Sequence, residues 1–157
     1  MSIPEGVKVL AVNKRARFDY SIDESFECGV SLLGTEVKSI KDGRLSFPDA
    51  FAEVRNGEVW MRNFRIAEYA FSPSAFQHEP DRQKKLLLHA QEIKRIDRRV
   101  REKGYTLIPL SVYLKRGLIK IELGLCKGKK NYDKRSDIRE RDLDRDMRRD
   151  LRRRNER

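Results

Sequence analysis

YTLIPLSVYLKRGLIKIELGLC, residues 105–126, predicts two long β-strands joined by a tight turn, and this hairpin decides the fold. From residue 119 to 125 large apolar side chains alternate with Lys120, Glu122 and Gly124, which is the period of a strand with one buried face. Residues 105–114 are rich in β-forming side chains, and Pro109 among them indicates a sheet edge or a bulge. Lys115-Arg116-Gly117 is the predicted turn.

Further strands are predicted on the N-terminal side of this hairpin. Residues 51–55 and 58–64 flank Asn56-Gly57, the pair that best accepts the positive φ angles of a type I′ turn. Residues 18–33 show an irregular alternation of polar and apolar side chains, and Gly34 ends that strand. Residues 35–40 predict one more short strand, and Lys41-Asp42-Gly43 a turn. The count is six strands.

Two segments predict helices, and one predicts a loop. Residues 46–50, SFPDA, are typical of a short helix start. Ile93, Ile96 and Val100 form one apolar stripe of a helix that begins near His89 or Ala90 and ends at Gly104. Residues 67–85 predict a long loop, functional or disordered. The expected fold is mainly β: an antiparallel six-stranded barrel, closed or nearly closed, with two or three flanking helices.

The charge is concentrated at the end of the chain. The 157 residues carry a net charge of +11, and residues 127–157 contribute 14 lysines and arginines against 8 acids. We therefore expect one domain at 1–126 and a tail at 127–157 that is flexible and disordered when free, because the tail has too little apolar surface to offset the entropy of ordering. A basic chain of this kind favours a phosphate-rich partner, and RNA fits best.

The tail nevertheless has a helical pattern. Asp137, Asp144 and Asp150 each precede an arginine by four residues, and Leu143, Met147 and Leu151 are spaced at four residues. Isolated helices of this kind are marginal in water, so the free tail should be mostly coil, and a phosphate-lined groove could fold it into a helix. The alternative is a permanently solvated appendage.

The sequence gives little support for a membrane protein, a secreted protein or an enzyme. No apolar run approaches the length of a membrane span, and residues 1–20 lack the apolar core of a secretory signal. We expect a cytoplasmic protein, with Cys28 and Cys126 as packed, reduced thiols; a disulfide between them is the alternative. His78 and His89 have no partner at metal-ligand spacing, and neither a nucleophile motif nor a phosphate-cradling glycine loop is present, so we expect no metal, no cofactor and no catalytic residue.

Three short motifs are candidates for RNA contact. Asn13-Lys14-Arg15-Ala16-Arg17 offers three cations and an amide, although it could equally be the solvent-facing start of a strand. Glu27 is an acid between apolar strand residues, which could face water, orient an arginine or accept from a base amino group. In residues 84–88, KKLLL, three consecutive leucines cannot share one face, so one could be exposed and pack on an unstacked base.

Together these motifs resemble a known family. The segments at residues 13–17, GTEVKS at 34–39, 82–88 with its KLLL run, and KGKK at 127–130 leading into Asp133-Lys134-Arg135 occur in the order found in the SsrA-binding proteins, also called small protein B or SmpB. Family members bind transfer-messenger RNA (tmRNA) and act in trans-translation on stalled ribosomes. The resemblance implies a six-stranded antiparallel barrel like an oligonucleotide-binding fold, three helices and a tail that is unstructured in solution.

The resemblance also implies site residues and partners. It assigns tmRNA binding to Asn13, Lys14, Arg15, Glu27, Lys38 and Leu87. It assigns contacts in the ribosomal decoding site to Gly128 as a hinge and to Lys129, Lys130, Tyr132, Asp133, Lys134 and Arg135. The implied partners are tmRNA, the decoding site and empty mRNA channel of the stalled 70S ribosome, and elongation factor Tu with alanyl-tmRNA; no membrane is involved.

The sequence departs from the family pattern at two positions. Tyr132 and Phe18 stand where many relatives have histidine; a tyrosine ring can stack, but neither side chain can supply a charged imidazole. Two other functions stay open at this point. One is a general RNA-binding or ribosome-associated module without a tmRNA role, and the other is a small nucleic-acid enzyme, against which the absent catalytic motifs argue.

Overall fold

β-Structure dominates the part of the chain that the computed structural model describes, which is residues 6–47, 49–102 and 104–128 with the separate positions 139, 143 and 145. Three α-helices lie within those ranges: α1 (Lys14–Asp19), α2 (Gly34–Lys41) and α3 (Ala90–Arg101). The strands there are β1 (Val7–Val12), β2 (Tyr20–Val30), β3 (Leu45–Ser46), β4 (Phe51–Arg55), β5 (Glu58–Arg62), β6 (Arg65–Ile66), β7 (Lys84–Leu87), β8 (Tyr105–Lys115) and β9 (Leu118–Gly128).

Six antiparallel strands close into a ring. Their order is β8-β4-β5-β7-β2-β9, and β9 pairs back onto β8 along the whole predicted hairpin. β1 adds a seventh strand by pairing with the second half of β8, and β3 pairs with β6 in a separate two-stranded sheet. The predicted fold class is confirmed: mainly β, with a six-stranded antiparallel ring and three helices.

Both predicted hairpin turns use left-handed backbone. Asn56 and Gly57 have φ of 51° and 76°, as a type I′ turn requires. Arg116 and Gly117 have φ of 52° and 77° in the turn between β8 and β9. The two predicted hairpins are therefore confirmed.

The prediction of a strand at residues 35–40 is wrong, because this segment is the helix α2. Its buried residues are Glu36, Ser39 and Ile40, which follow helical spacing. The Glu36 carboxylate accepts a hydrogen bond from the Leu33 backbone N–H at 2.7 Å and so satisfies a free donor at the helix start. The sixth strand of the ring is β7 instead, which pairs with β2 and β5.

The prediction of a helix start at residues 46–50 is also wrong. Leu45 and Ser46 pair with β6 as β3, and Phe47 is buried and stacks on Phe64 with ring centroids 5.2 Å apart. The backbone N–H of Ala50 bonds to the carbonyl of Phe47, which makes a turn. Phe47 packs against the core, and the connection between β3 and β4 is too short for a helix.

A bulge in β8 changes which side chains face the interior of the ring. The register with β9 shifts between Pro109 and Ser111, where the sequence predicted an edge or bulge. Beyond it, Val112 joins the main core with Ile121 and Leu123, whereas Ile108 and Leu110 belong to a second apolar cluster with Cys126 and Ala16 of α1. The outer face of β8 is therefore covered by α1 in its first half and open in its second half.

The two thiols lie in different apolar clusters. Cys28 belongs to the main core and Cys126 to the cluster under α1; both are free and fully buried. Burial raises the pKa of each thiol to about 12. They are packed thiols, as predicted, and not a disulfide.

The remaining predictions concern α3, the loop and the tail. The helix is confirmed as α3, with Ile96 fully buried. The loop runs to residue 83 and contains a short 3₁₀ turn, Ser74–Phe76. Most of the predicted tail lies outside the described residues; Arg139, Leu143 and Arg145 are helical and exposed. Within the described ranges, no helix has the length and apolar character to cross a membrane.

Candidate RNA-binding surface

Asn13 is buried and holds the start of α1. Its side-chain Oδ1 accepts a hydrogen bond from the Ala16 backbone N–H at 3.2 Å, the usual role of a helix N-cap. Its Nδ2 donates to the Pro109 carbonyl at 3.0 Å, at the bulge of β8. Both ends of the amide are thus engaged inside the protein, and in this conformation Asn13 positions α1 for a ligand instead of offering its own amide.

Replacing Asn13 tests this positioning role. We expect Asn13→Ala to lower the free energy of unfolding by about 2 kcal/mol, because it removes the cap and leaves the buried Pro109 carbonyl without its donor. Asn13→Ser is the matched control, since a serine keeps the cap and loses only the bond to Pro109. Urea denaturation measures both. An Asn13→Ala protein as stable as the wild type would contradict the role.

The next two predicted residues, Lys14 and Arg15, are exposed on α1. Arg15 lies 3.3 Å from a carboxylate oxygen of Asp19 and 4.0 Å from one of Asp49, and two-thirds of its side chain is accessible. Exposed ion pairs of this kind are weak, so a phosphate can replace the carboxylates as the partner of the Arg15 guanidinium at little cost in free energy. A cleft of about 330 Å³ opens beside Arg15, between α1 and the start of β4.

Glu27 lies on the outer face of β2 within a small polar group. The Tyr113 hydroxyl donates to Glu27 Oε2 at 2.6 Å, and Lys115 Nζ lies 3.2 Å from both carboxylate oxygens. The hydrogen bond from Tyr113, followed by the neighbouring Lys115, holds the pKa of Glu27 below its usual value. The ionised carboxylate still has free acceptor positions, which suit the amino group of a base.

Leu87 lies on the same outer face and is half exposed, at 52%. It pairs with Gly29, which is two residues from Glu27 and in turn pairs with Lys120. A Cβ at Gly29 would lie 3.3 Å from that of Leu87, so the glycine gives the leucine room to lie across the sheet. Diagonal neighbours on a sheet are about 7 Å apart, so Leu87 and Glu27 can contact one nucleotide.

We name this group, Glu27, Leu87, Tyr113, Lys115 and Lys120, the sheet patch. The sequence predicted its first two members and missed the other three. Tyr113 and Lys115 face outward only because the bulge at Pro109 shifts the register of β8. The strict alternation at 119–125 did predict that Lys120 faces solvent. It could not predict which strands pair with β9 beside Lys120.

Two other lysines occupy different surroundings. Lys38 is exposed on α2, with its Nζ 5.5 Å from the centre of the Tyr69 ring, and makes no contact with the sheet patch among the described residues. Lys84, at the start of the KKLLL run, is buried, and its Nζ donates to the carbonyls of Phe64 at 2.6 Å and Pro80 at 3.3 Å. Burial lowers the pKa of Lys84 to about 8. The structure thus assigns Lys84 to the core.

Of the residues predicted for the decoding site, Gly128 is described. It is exposed, pairs with Tyr20 at the end of β9, and has open space around the position of a Cβ. Lys129, Lys130, Tyr132, Asp133, Lys134 and Arg135 lie outside the described residues. Their roles stay predictions.

Comparison with known proteins identifies the family. The family model described as SmpB protein matches residues 10–153. An SsrA-binding protein of Treponema denticola is 58% identical over 87% of this chain and 88% of its own length, and one of Desulfitobacterium hafniense is 51% identical over 88% of each. A chain of the solved structure "tmRNA-SmpB: a journey to the center of the bacterial ribosome" aligns with a TM-score of 0.66 and 43% identity, over 79% of this chain and 87% of that one. This chain belongs to the SsrA-binding protein (SmpB) family.

Proposed function

We propose that this chain binds tmRNA and carries it to stalled ribosomes in trans-translation, as an RNA-binding factor of the cytoplasm and not as an enzyme. One observation of the structure carries the proposal most directly. Glu27 and Leu87 come from distant parts of the sequence, match motifs of the family, and lie side by side on one exposed face with lysines around them. That combination of a base acceptor, an apolar contact and phosphate-binding cations suits a folded RNA with unstacked bases.

The two groups of predicted residues divide the binding task. The sheet patch reads a base through Glu27 and Leu87, and Lys14 and Arg15 on α1 contact the phosphate backbone. Both groups lie on the outer side of the β8–β9–β2 sheet, because α1 covers the first half of β8 and the sheet patch occupies the second half. A bent RNA such as the tRNA-like part of tmRNA can follow this surface.

The ribosomal half of the function rests on the family and on the tail sequence. In this proposal the six-stranded ring stands in for the anticodon arm of a tRNA. The residues after Gly128 enter the decoding site and the empty mRNA channel, and the partners are the stalled 70S ribosome and elongation factor Tu with alanyl-tmRNA. The charge of the tail supports the proposal, since 14 cations against 8 acids suit a channel walled by ribosomal RNA.

Binding of the tRNA-like domain of tmRNA tests the sheet patch. We expect Glu27→Gln and Leu87→Ala each to weaken binding by about 10- to 100-fold, the effect of losing one base contact of roughly 1–3 kcal/mol. For Leu87→Ala the slope of log affinity against log salt should stay the same, because this change alters no charge. Fluorescence anisotropy over a salt series measures both quantities.

Two variants serve as matched controls. Leu33→Ala removes a leucine that is 49% exposed just before α2, and Glu53→Gln removes an acid of β4 that pairs with Arg55 and Arg62. Both should bind like the wild type. If a tRNA of similar length competed as well as tmRNA, the general RNA-binding function would replace the one proposed.

A further inference from the structure

The loop between β6 and β7 is held in one shape by its own side chains. The Gln77 side chain accepts from the Tyr69 backbone N–H at 2.9 Å and donates to the carbonyls of Tyr69 and Ser72. His78 is buried, with Nε2 donating to the Ile66 carbonyl at 2.9 Å and Nδ1 2.8 Å from the hydroxyl of Thr35 on α2. These hydrogen bonds clamp the loop in one conformation and anchor it to α2, so the side chains on its surface keep fixed positions.

That surface displays aromatic rings. Phe71 is 82% exposed and lies two residues before Pro73, and Phe76 is 74% exposed and ends the 3₁₀ turn. The Tyr69 ring meets Phe71 edge-on with centroids 5.6 Å apart, and Lys38 Nζ lies 5.5 Å from the centre of the same Tyr69 ring. Single exposed apolar side chains are ordinary, but two exposed phenylalanines on one clamped loop, one of them against a tyrosine that also contacts a lysine, indicate a binding surface.

We propose that this aromatic platform, Tyr69, Phe71 and Phe76 with Lys38, binds a single-stranded segment of RNA by stacking its bases. Rings stack on the faces of bases of any sequence, and a neighbouring cation neutralises the phosphate between them. The platform shares no residue with the sheet patch, because it lies on α2 and the loop between β6 and β7, while the sheet patch lies on β2, β7, β8 and β9.

Charge favours RNA over an apolar protein partner. Lys38, and Arg44 at the base of the loop, where its carbonyl accepts from the Ala67 N–H, form no ion pair with any described acid. The loop itself carries Glu68, Glu79 and Asp81 against Arg82, so Lys38 and Arg44 supply the positive charge beside the rings. Their charges are free to meet phosphate, and the chain as a whole carries +11. A hydrophobic protein surface would leave both cations without a partner, at a desolvation cost.

A 12-nucleotide oligoadenylate is the probe, with an abasic ribose-phosphate oligomer of the same length for comparison. We expect the full-length protein to bind the oligoadenylate at least tenfold more tightly than the abasic oligomer. The double change Phe71→Ala and Phe76→Ala should remove that preference, because each stacked base contributes about 1–3 kcal/mol. Nuclear magnetic resonance should show upfield shifts of both phenylalanine rings when the oligoadenylate is added.

Lys38→Ala should instead lower the salt slope, by about 0.7 for one phosphate contact on a single strand. Leu118→Ala is the control for loss of an exposed apolar side chain. Equal binding of the two oligomers, or an unchanged preference in the double variant, would overturn the proposal. So would sedimentation showing that the phenylalanines hold two copies of the chain together. The double variant should keep its affinity for the tRNA-like domain of tmRNA, so this test and that of the sheet patch can fail independently.

Discussion

A chain that ends at Gly128 is expected to bind the tRNA-like domain of tmRNA nearly as tightly as the full chain, and to support no tagging on stalled ribosomes. The proposed tmRNA contacts on α1 and the sheet patch all precede this point. Stopping after Gly128 also keeps the pairing of Gly128 with Tyr20, so β9 stays complete. What is removed is the charged segment proposed to enter the decoding site and the mRNA channel.

Ionic strength decides how this truncation is measured. Residues 129–157 hold 13 cations and 8 acids, so their loss lowers nonspecific attraction to any RNA. At about 0.15 M salt the Debye length is roughly 8 Å, and distant tail charges contribute little to a contact on the sheet. Anisotropy at that salt concentration should give a change in tmRNA affinity below about threefold. A reconstituted tagging assay, with ribosomes stalled on an mRNA that lacks a stop codon, should give no product.

A second tail variant separates charge from sequence. It keeps the composition of residues 129–157 and shuffles their order, which destroys Asp133-Lys134-Arg135 and the i,i+4 pairs. We expect it to fail in tagging as the truncated chain does, because its residue pattern is lost. Its charge is unchanged, so a failure cannot be due to charge. A collapse of tmRNA binding in the truncated chain would show that the division of labour between ring and tail is wrong.

The sequence predicted the fold wherever burial followed a simple period. Residues 119–123 of β9 and the apolar stripe of α3 each have one apolar face and one polar face, and the β4–β5 hairpin has its Asn-Gly turn. The first half of β8 is buried on both faces and was predicted from its β-forming residues. The prediction failed at α2 because two of the three residues that α2 buries, Glu36 and Ser39, are polar. With the acid counted as exposed, the remaining β-branched residues looked like a strand. β7 was missed for the same reason, since its first residue, Lys84, is buried.

The candidate site was predictable residue by residue but not as an arrangement. Glu27 stood out as an acid among apolar strand residues, and one of three consecutive leucines could be exposed. Their closeness depends on the pairing of Gly29 with Leu87, a long-range contact that no local pattern encodes. Asn13 shows the opposite case, because its chemistry suggested a base contact, while the bulge at Pro109 turned its amide inward.

The buried ion pair of Glu36 and Arg82 connects the misjudged α2 to the proposed binding surface. Glu36 is fully buried, and its Oε1 lies 2.6 Å from Arg82 Nη2. Arg82 also donates to the Ser31 carbonyl at 3.1 Å, just beyond the end of β2. β2 and β7 pair through only two residue pairs, so this network supports a short seam of the ring, where Leu87 lies over Gly29.

We expect Arg82→Ala to lower the free energy of unfolding by about 3 kcal/mol, because it leaves a buried carboxylate without its cation. The value is at the low end for such a loss, since 32% of the Arg82 side chain is accessible to water. Arg62→Ala is the matched control: its partner Glu53 is partly exposed, and an exposed pair contributes less than about 1 kcal/mol. Urea denaturation at pH 7 compares the two variants.

The double change Glu36→Leu and Arg82→Leu shows whether the stability lost in Arg82→Ala comes from the unpaired buried carboxylate or from lost packing. Removing both side chains leaves no unpaired charge, and only neutral main-chain groups such as the Leu33 N–H and the Ser31 carbonyl lose a partner. The double variant should therefore be more stable than Arg82→Ala despite carrying two substitutions. Because the seam holds β7 beside β2, Arg82→Ala should also weaken tmRNA binding, and the double variant should recover part of it. If Arg82→Ala cost no more stability than Arg62→Ala, the pair would not hold the ring closed, and the position of Leu87 would depend on the main-chain pairing of β2 and β7 alone.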